Sequence, residues 1–202
     1  MSKRVLNKEK RVEDIFEAAL QCFNETGYSN TTVESIAVKA KISKGGMYHY
    51  FSSKKELFLH LFHYRTRNYF DEMKSYMNSE DSPEERLRTL VKKAGQVLKQ
   101  NEDFYKFCLV FLSQGVRDAD IRKIMTDFYR DSVKTFKELI EEGISSGDFK
   151  KIKADKAARA IYFLVMGVYS TYFSVDPDFD IEEQHYFHIE SMISFLKIEK
   201  KD

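Results

Sequence analysis

Residues 31–58 read TTVESIAVKAKISKGGMYHYFSSKKELF, and the start and stop signals packed into this window predict the fold. Thr31, Thr32, Val33 and Glu34 spell a TxxE capping box, in which hydroxyl and carboxylate satisfy the free amides of a new helix. That helix reaches only to about Ala40. After a short turn, Ser43 caps a further helix of barely two turns that ends near Phe51, and Ser53 to Glu56 forms a second capping box opening a long helix through Met77. Upstream, Val12, Ile15, Phe16, Ala19 and Phe23 recur with helical spacing over residues 8–26, and Gly27 ends the stripe. Two short helices joined by a tight turn and packed on a longer one form the arrangement that presents one short helix to the DNA major groove. Ile36, Ala37 and Ile42 supply the contact between the pair, and Met47 and Phe51 face the first helix.

The presented segment, SKGGMYHYF from Ser43 to Phe51, is an unusual choice for stability alone. Gly45 and Gly46 each cost up to about 1 kcal/mol relative to Ala inside a helix, but a missing side chain lets the backbone approach a partner closely. Tyr48, His49 and Tyr50 carry hydrogen-bonding tips on flat apolar bodies, with Lys44 and Lys54 on either side. Such a surface suits phosphate. Taken singly, each residue has a blander explanation as packing, loop or solvated side chain; their concentration between two capping boxes favours the interface. The stretch from Phe16 to Phe58, FEAALQCFNETGYSNTTVESIAVKAKISKGGMYHYFSSKKELF, resembles the DNA-binding region of the TetR/AcrR family, whose pattern S-K-G-x-x-Y-x-Y/H-F followed by S-K-x-E-L it repeats nearly complete. The resemblance implies phosphate contacts from Thr31, Thr32, Lys44, Tyr48, His49 and Lys54, with Gly45 and Tyr48 near base edges. With Ser43, Gly46 and Tyr50 these make up the expected DNA-facing set. Two positions depart from the family pattern: Lys41 stands where Gly is usual in the turn, and Gly46 stands where Thr, Ser or Asn often touches a base.

Beyond this window the chain predicts more helix. Of 202 residues, two are proline and eight glycine, so long helices meet few interruptions. Ser82, Pro83, Glu84 and Glu85 form a further helix start, with Leu87, Leu90, Val91, Ala94 and Val97 in helical period. Additional helices fit residues 103–113, 118–145, 155–174 and 181–198, separated by Gly147 and Pro177 among other breaks. The expected architecture is all-α with about nine helices: a helix-turn-helix DNA-binding domain over residues 1–52, then an effector-binding and dimerisation domain over residues 53–202, linked by the helix at 53–77. Net charge is +1, yet residues 1–55 carry a balance of +4, so basic character gathers at the end expected to meet DNA. Ser2, Lys3 and Arg4 form a basic tail of the kind some regulators lay in the minor groove, although such tails are more often solvated. Cys22 and Cys108 suit neither a zinc site nor a disulfide. No leader is evident, and the apolar run at residues 160–173 is shorter than the roughly 18 to 20 residues a bilayer requires; a cytoplasmic location is expected.

In the family that residues 16–58 resemble, the C-terminal helices dimerise and bind a small effector, which implies a homodimer on a palindromic operator, a repressor role and release by ligand. The helix at 155–174 supports this independently, because AIYFLVMGVYSTYF is apolar around most of its circumference. Ile161, Val165, Gly167, Val168 and Tyr172, with Ile189, Met192, Ile193 and Leu196 of the last helix, form the expected four-helix interface. An aromatic set, Phe104, Phe107, Phe111, Phe128, Tyr129, Tyr162, Met166 and Tyr169, reads as a pocket for a small apolar or amphipathic effector, or as plain core. A regulator without effector, constitutive or architectural, is the alternative within DNA binding. A helical enzyme is the alternative outside it: His60 with His63 and His185 with His188 are spaced to share a helix face, but neither pair has a third ligand nearby, and no phosphate loop or nucleophile motif occurs. No metal, cofactor or catalytic residue is expected.

Overall fold

The computed structural model describes residues 3–77 and 80–198, except the side chains of residues 3–7, 68, 70, 72–74, 76, 77 and 98; the basic tail Ser2, Lys3 and Arg4 thus lies outside the described side chains. Among the described residues there are nine helices: α1 Lys3–Asn30, α2 Val33–Lys39, α3 Lys44–Tyr50, α4 Lys54–Met77, α5 Pro83–Gln100, α6 Glu102–Gly115, α7 Ala119–Ser146, α8 Ala154–Tyr172 and α9 Ile181–Leu196. Gly27, at φ 74°, breaks the regular path of α1 where the apolar stripe ends, a conformation open to glycine without steric cost. The all-α expectation holds, and several helix starts have the cause read from sequence; at α4 the Ser53 hydroxyl accepts the Glu56 amide at 3.1 Å as expected, but the Glu56 carboxylate accepts the Ser52 amide rather than that of Ser53. Pro83 opens α5 with the Ser82 hydroxyl accepting the Glu85 amide at 3.3 Å, and the Asp180 carboxylate accepts the Glu182 and Glu183 amides at the start of α9.

The chain folds as two compact units. The first comprises residues 3–69 with 102–122, and the second residues 70–101 with 123–198. In the first, Ile15, Ala19 and Phe23 of α1 are buried with Ile36 and Ala37 of α2, Met47 of α3, Leu57, Phe58, Leu61 and Phe62 of α4, and Phe107 and Phe111 of α6. Its centre is aromatic. Phe58 meets Phe23 edge-on at 4.8 Å and Phe107 at 5.1 Å, while Phe62 stacks on Phe111 at 4.0 Å. Edge and offset ring pairs of this kind add about 0.5–1.5 kcal/mol each beyond area burial. The Asn24 side-chain amide donates to the Asp103 carbonyl at 2.8 Å, pinning the start of α6 to α1.

In the second unit α5 and α8 both pack on α9, burying Leu87, Leu90, Val91, Ala94, Ala157, Ala158, Ile161, Val168, Ile189, Ile193 and Leu196. Arg88 of α5 reaches Glu190 of α9 at 2.5 Å and also Glu84 and Glu85 on its own helix, and Lys197 returns to Glu84 at 2.8 Å. Phe149 lies over Gly143, where an added Cβ would fall 2.2 Å from the ring. That glycine is therefore required by packing, which spacing alone did not suggest. His185 of α9 is only 2 % exposed. It meets the Tyr169 ring at 4.7 Å, and neither of its ring nitrogens has a hydrogen-bond partner among the described residues.

Candidate nucleic-acid interface

The helix-turn-helix is built by local hydrogen bonds. At the start of α2 the capping box sits one residue later than the sequence suggested: Thr32 is the N-cap, its Oγ1 accepting the Ser35 amide at 3.0 Å while Ser35 Oγ accepts the Thr32 amide at 3.2 Å. Thr31, the expected cap, turns inward. It is 1 % exposed, and its hydroxyl lies 2.7 Å from the Gly27 carbonyl and 3.1 Å from that of Cys22. With adjacent threonines, burial of the first leaves the second to cap. Glu34, no longer needed in the box, pairs with Lys44.

Between α2 and α3 the chain turns through a Schellman motif, in which the Ile42 amide donates to the Ala37 carbonyl at 3.0 Å and the Lys41 amide to the Val38 carbonyl at 3.1 Å. Lys41 takes φ 55° to complete it. The departure from glycine is thus accommodated in the left-handed conformation, at a cost of about 1 to 2 kcal/mol.

Ser43 then caps α3, its Oγ accepting the Gly46 amide at 3.0 Å. Met47, 1 % exposed, and Phe51 anchor the helix to the core, which leaves Lys44, Gly45, Tyr48 and His49 on the outer face; Tyr48 is 46 % exposed. Gly46 and Tyr50 are half-buried. The two glycines differ in cause. A Cβ on Gly46 would stand 3.2 Å from the capping Ser43 hydroxyl, whereas one on Gly45 would meet nothing within 4 Å. The protein's own packing leaves the space beside Gly45 open.

Lys54 points back into the protein. Its ammonium donates to the carbonyls of Tyr28 at 2.6 Å, Thr31 at 2.7 Å and Ser29 at 3.3 Å, and stands 4.5 Å from the centre of the Tyr28 ring. Burial lowers its pKa from the ordinary lysine value. Of the ten residues expected at DNA, Thr31 and Lys54 therefore spend their side chains on the α1–α2 junction in the free chain. Next to it, Lys55 bridges Asp118 at 2.8 Å and Asp120 at 2.7 Å. These hydrogen bonds raise the Lys55 pKa and, with two backbone amides, lower that of Asp118. Sequence spacing gave no sign of this pair, which ties the start of α4 to the turn before α7 within the first unit.

A face of lysine, tyrosine, histidine and bare backbone on a two-turn helix is suited to a polyanion with a groove. The model of the bacterial regulatory proteins of the tetR family matches residues 15–61, and that of the BetI-type transcriptional repressor C-terminal region matches residues 83–191. The chain belongs to the TetR family of transcriptional regulators. Among its TetR-family relatives, the fatty acid metabolism regulator protein of Bacillus subtilis is 23 % identical over 158 residues, covering 77 % of this chain and 80 % of the relative. The fold matches a FadR regulator from Bacillus subtilis solved with stearoyl-CoA, at TM-score 0.80, 20 % identity and coverage of 90 % and 97 % of the two chains. It also matches a transcriptional regulator from Saccharomonospora viridis solved with choline, at TM-score 0.84, 22 % identity and coverage of 96 % and 100 %.

The residues expected to serve effector and dimer are distributed as follows. Phe104, Phe107 and Phe111 are buried in the first unit, the latter two inside its aromatic cluster. In the second unit Phe128, Tyr129, Tyr162 and Met166 are half-buried, with Tyr129 and Tyr162 edge-to-face at 5.0 Å, and Tyr169 is buried against His185. On α8 and α9, Ile161, Val168, Ile189, Ile193 and Leu196 are buried within the subunit itself; Val165, Tyr172 and Met192 are half-buried, and Gly167 is exposed. The large apolar side chains left outward on these helices are Phe163, Tyr186, Phe187 and Phe195, which the sequence reading did not single out. A helix apolar around most of its circumference, as α8 is, gives little phase from which to choose the buried side. Among the described residues no group of three or more His, Cys, Asp or Glu could hold a metal ion, and no helix is long and apolar enough to cross a membrane.

Proposed function

We propose that this TetR-family regulator is a cytoplasmic repressor that binds a palindromic operator as a homodimer and leaves it when a small apolar or amphipathic effector binds. One observation carries the DNA part: Met47 and Phe51 fix α3 from behind, so that Lys44, Gly45, Tyr48 and His49 share its outer face. Two copies related by a two-fold axis would set two such helices at one half-site spacing. Phe163, Tyr186, Phe187 and Phe195 support self-association, because large apolar groups in this number on two neighbouring helices favour burial. The Tyr129–Tyr162 pair supplies flat surfaces with hydroxyl tips for a ligand. Relatives solved with stearoyl-CoA and with choline make a long-chain acyl thioester and a quaternary amine the first probes.

The test is fluorescence anisotropy with a duplex drawn from the region upstream of the protein's own gene, against a random duplex of equal length. Preference for the first is expected, and Lys44→Ala should weaken binding to both while lowering the salt slope by about one unit. Equal affinity for the two duplexes at low salt would overturn the regulator reading for that region. If saturating stearoyl-CoA and choline both leave operator affinity unaltered, neither is the effector. Sedimentation at the mass of one chain at micromolar concentration would overturn the dimer.

A further inference from the structure

We infer that Glu34 acts as an internal substitute for DNA phosphate, holding Lys44 in the free protein and thereby weakening the charge-driven attachment to DNA of any sequence. The inference rests on the DNA-binding reading of α2 and α3 and adds a residue that sets the strength of the charge-driven attachment. Glu34 is the one carboxylate among residues 31–55, a stretch that also holds five lysines. Its carboxylate is paired with the Lys44 ammonium, and both side chains remain more than half exposed. An exposed ion pair of this sort contributes little to folding, so its place at the first residue of the presented helix calls for another explanation. A lysine answered by a nearby carboxylate attracts a phosphate less, since approach of the duplex must separate the pair and leave the carboxylate beside an anion. Random DNA is held almost entirely by such charge contacts, whereas an operator adds contacts to base edges. The penalty is common to every sequence: it lowers the charge-driven background that Lys44 would otherwise supply and leaves the preference for the operator to the other contacts.

Removing the charge while keeping the shape tests this. In the full chain, Glu34→Gln should tighten binding to random duplex about threefold to fivefold at low salt, tighten operator binding by a similar factor, and lose its effect as salt rises. A cycle with Lys44→Ala separates masking of that lysine from a diffuse negative charge. If Glu34 works through Lys44, then Glu34→Gln gives no gain in the Lys44→Ala background. A gain of equal size in both backgrounds overturns the inference, as does unchanged or weaker binding by Glu34→Gln with a native circular dichroism spectrum. Absence of duplex binding by the unaltered protein is a different result, one that removes the DNA-binding reading itself.

Discussion

Gly45 and Lys54 show how differently two residues of one motif are used. Because an added methyl at Gly45 meets nothing in the protein, Gly45→Ala should raise stability by up to about 1 kcal/mol through helix propensity. It should also weaken operator binding if the backbone there approaches the duplex. Thermal melting and anisotropy on the same sample check both signs; tighter or unchanged binding would show that the gap faces only water. Lys54 should behave in the opposite way from a phosphate ligand. With its ammonium on three carbonyls of the α1–α2 junction, Lys54→Met is expected to cost about 1–3 kcal/mol of stability. Operator affinity should fall with little change in salt slope, and a slope lower by about one unit would return Lys54 to the DNA face. The lysine was visible in the sequence. Its partners were not, because backbone carbonyls at a broken helix end leave no mark in residue type.

The helices themselves were legible. Caps, the N1 proline and the breaks at Gly27, Gly147 and Pro177 marked ends that the structure places within a few residues, since each signal satisfies or frees particular backbone groups. The facing of α8 and α9 was not legible, and His185 belongs to that difficulty: the spacing of His185 and His188 lets them share a helix face but does not say that the first is buried and the second half-buried. Burial, helped by the charge of His188, lowers the His185 pKa from 6.5 to about 4, so the fold requires the neutral ring. The unfolded chain then binds more protons between these two values, and stability falls as pH drops through that window, levelling off below about 4. Replacing His185 by Phe, which retains a ring against Tyr169, should remove this component. The stability difference between the two proteins in urea titrations should shift by about 2 kcal/mol in favour of the variant from pH 7 to pH 5. A difference independent of pH would mean that the ring accepts its proton without loss.

At the scale of the whole chain, the compact units do not follow chain order. The helix-turn-helix and the helix start at Ser53 set the expected boundary near residue 52; in the structure α6, some fifty residues further on, supplies Phe107 and Phe111 to the same core as Phe23, Phe58 and Phe62. Nothing in the local sequence of α6 distinguishes a helix that returns to the first unit from one that stays with the second. A fragment ending at residue 69 should accordingly lack cooperative melting by circular dichroism, because it exposes the faces of Phe58 and Phe62 that α6 covers. A sharp transition in that fragment would show that α6 is dispensable. The same pairing bears on engineering. A chimera that exchanges reading heads between two regulators by splicing at a single point would marry one parent's N-terminal helices to the other's α6, so a working graft must carry residues 102–122 along with the head.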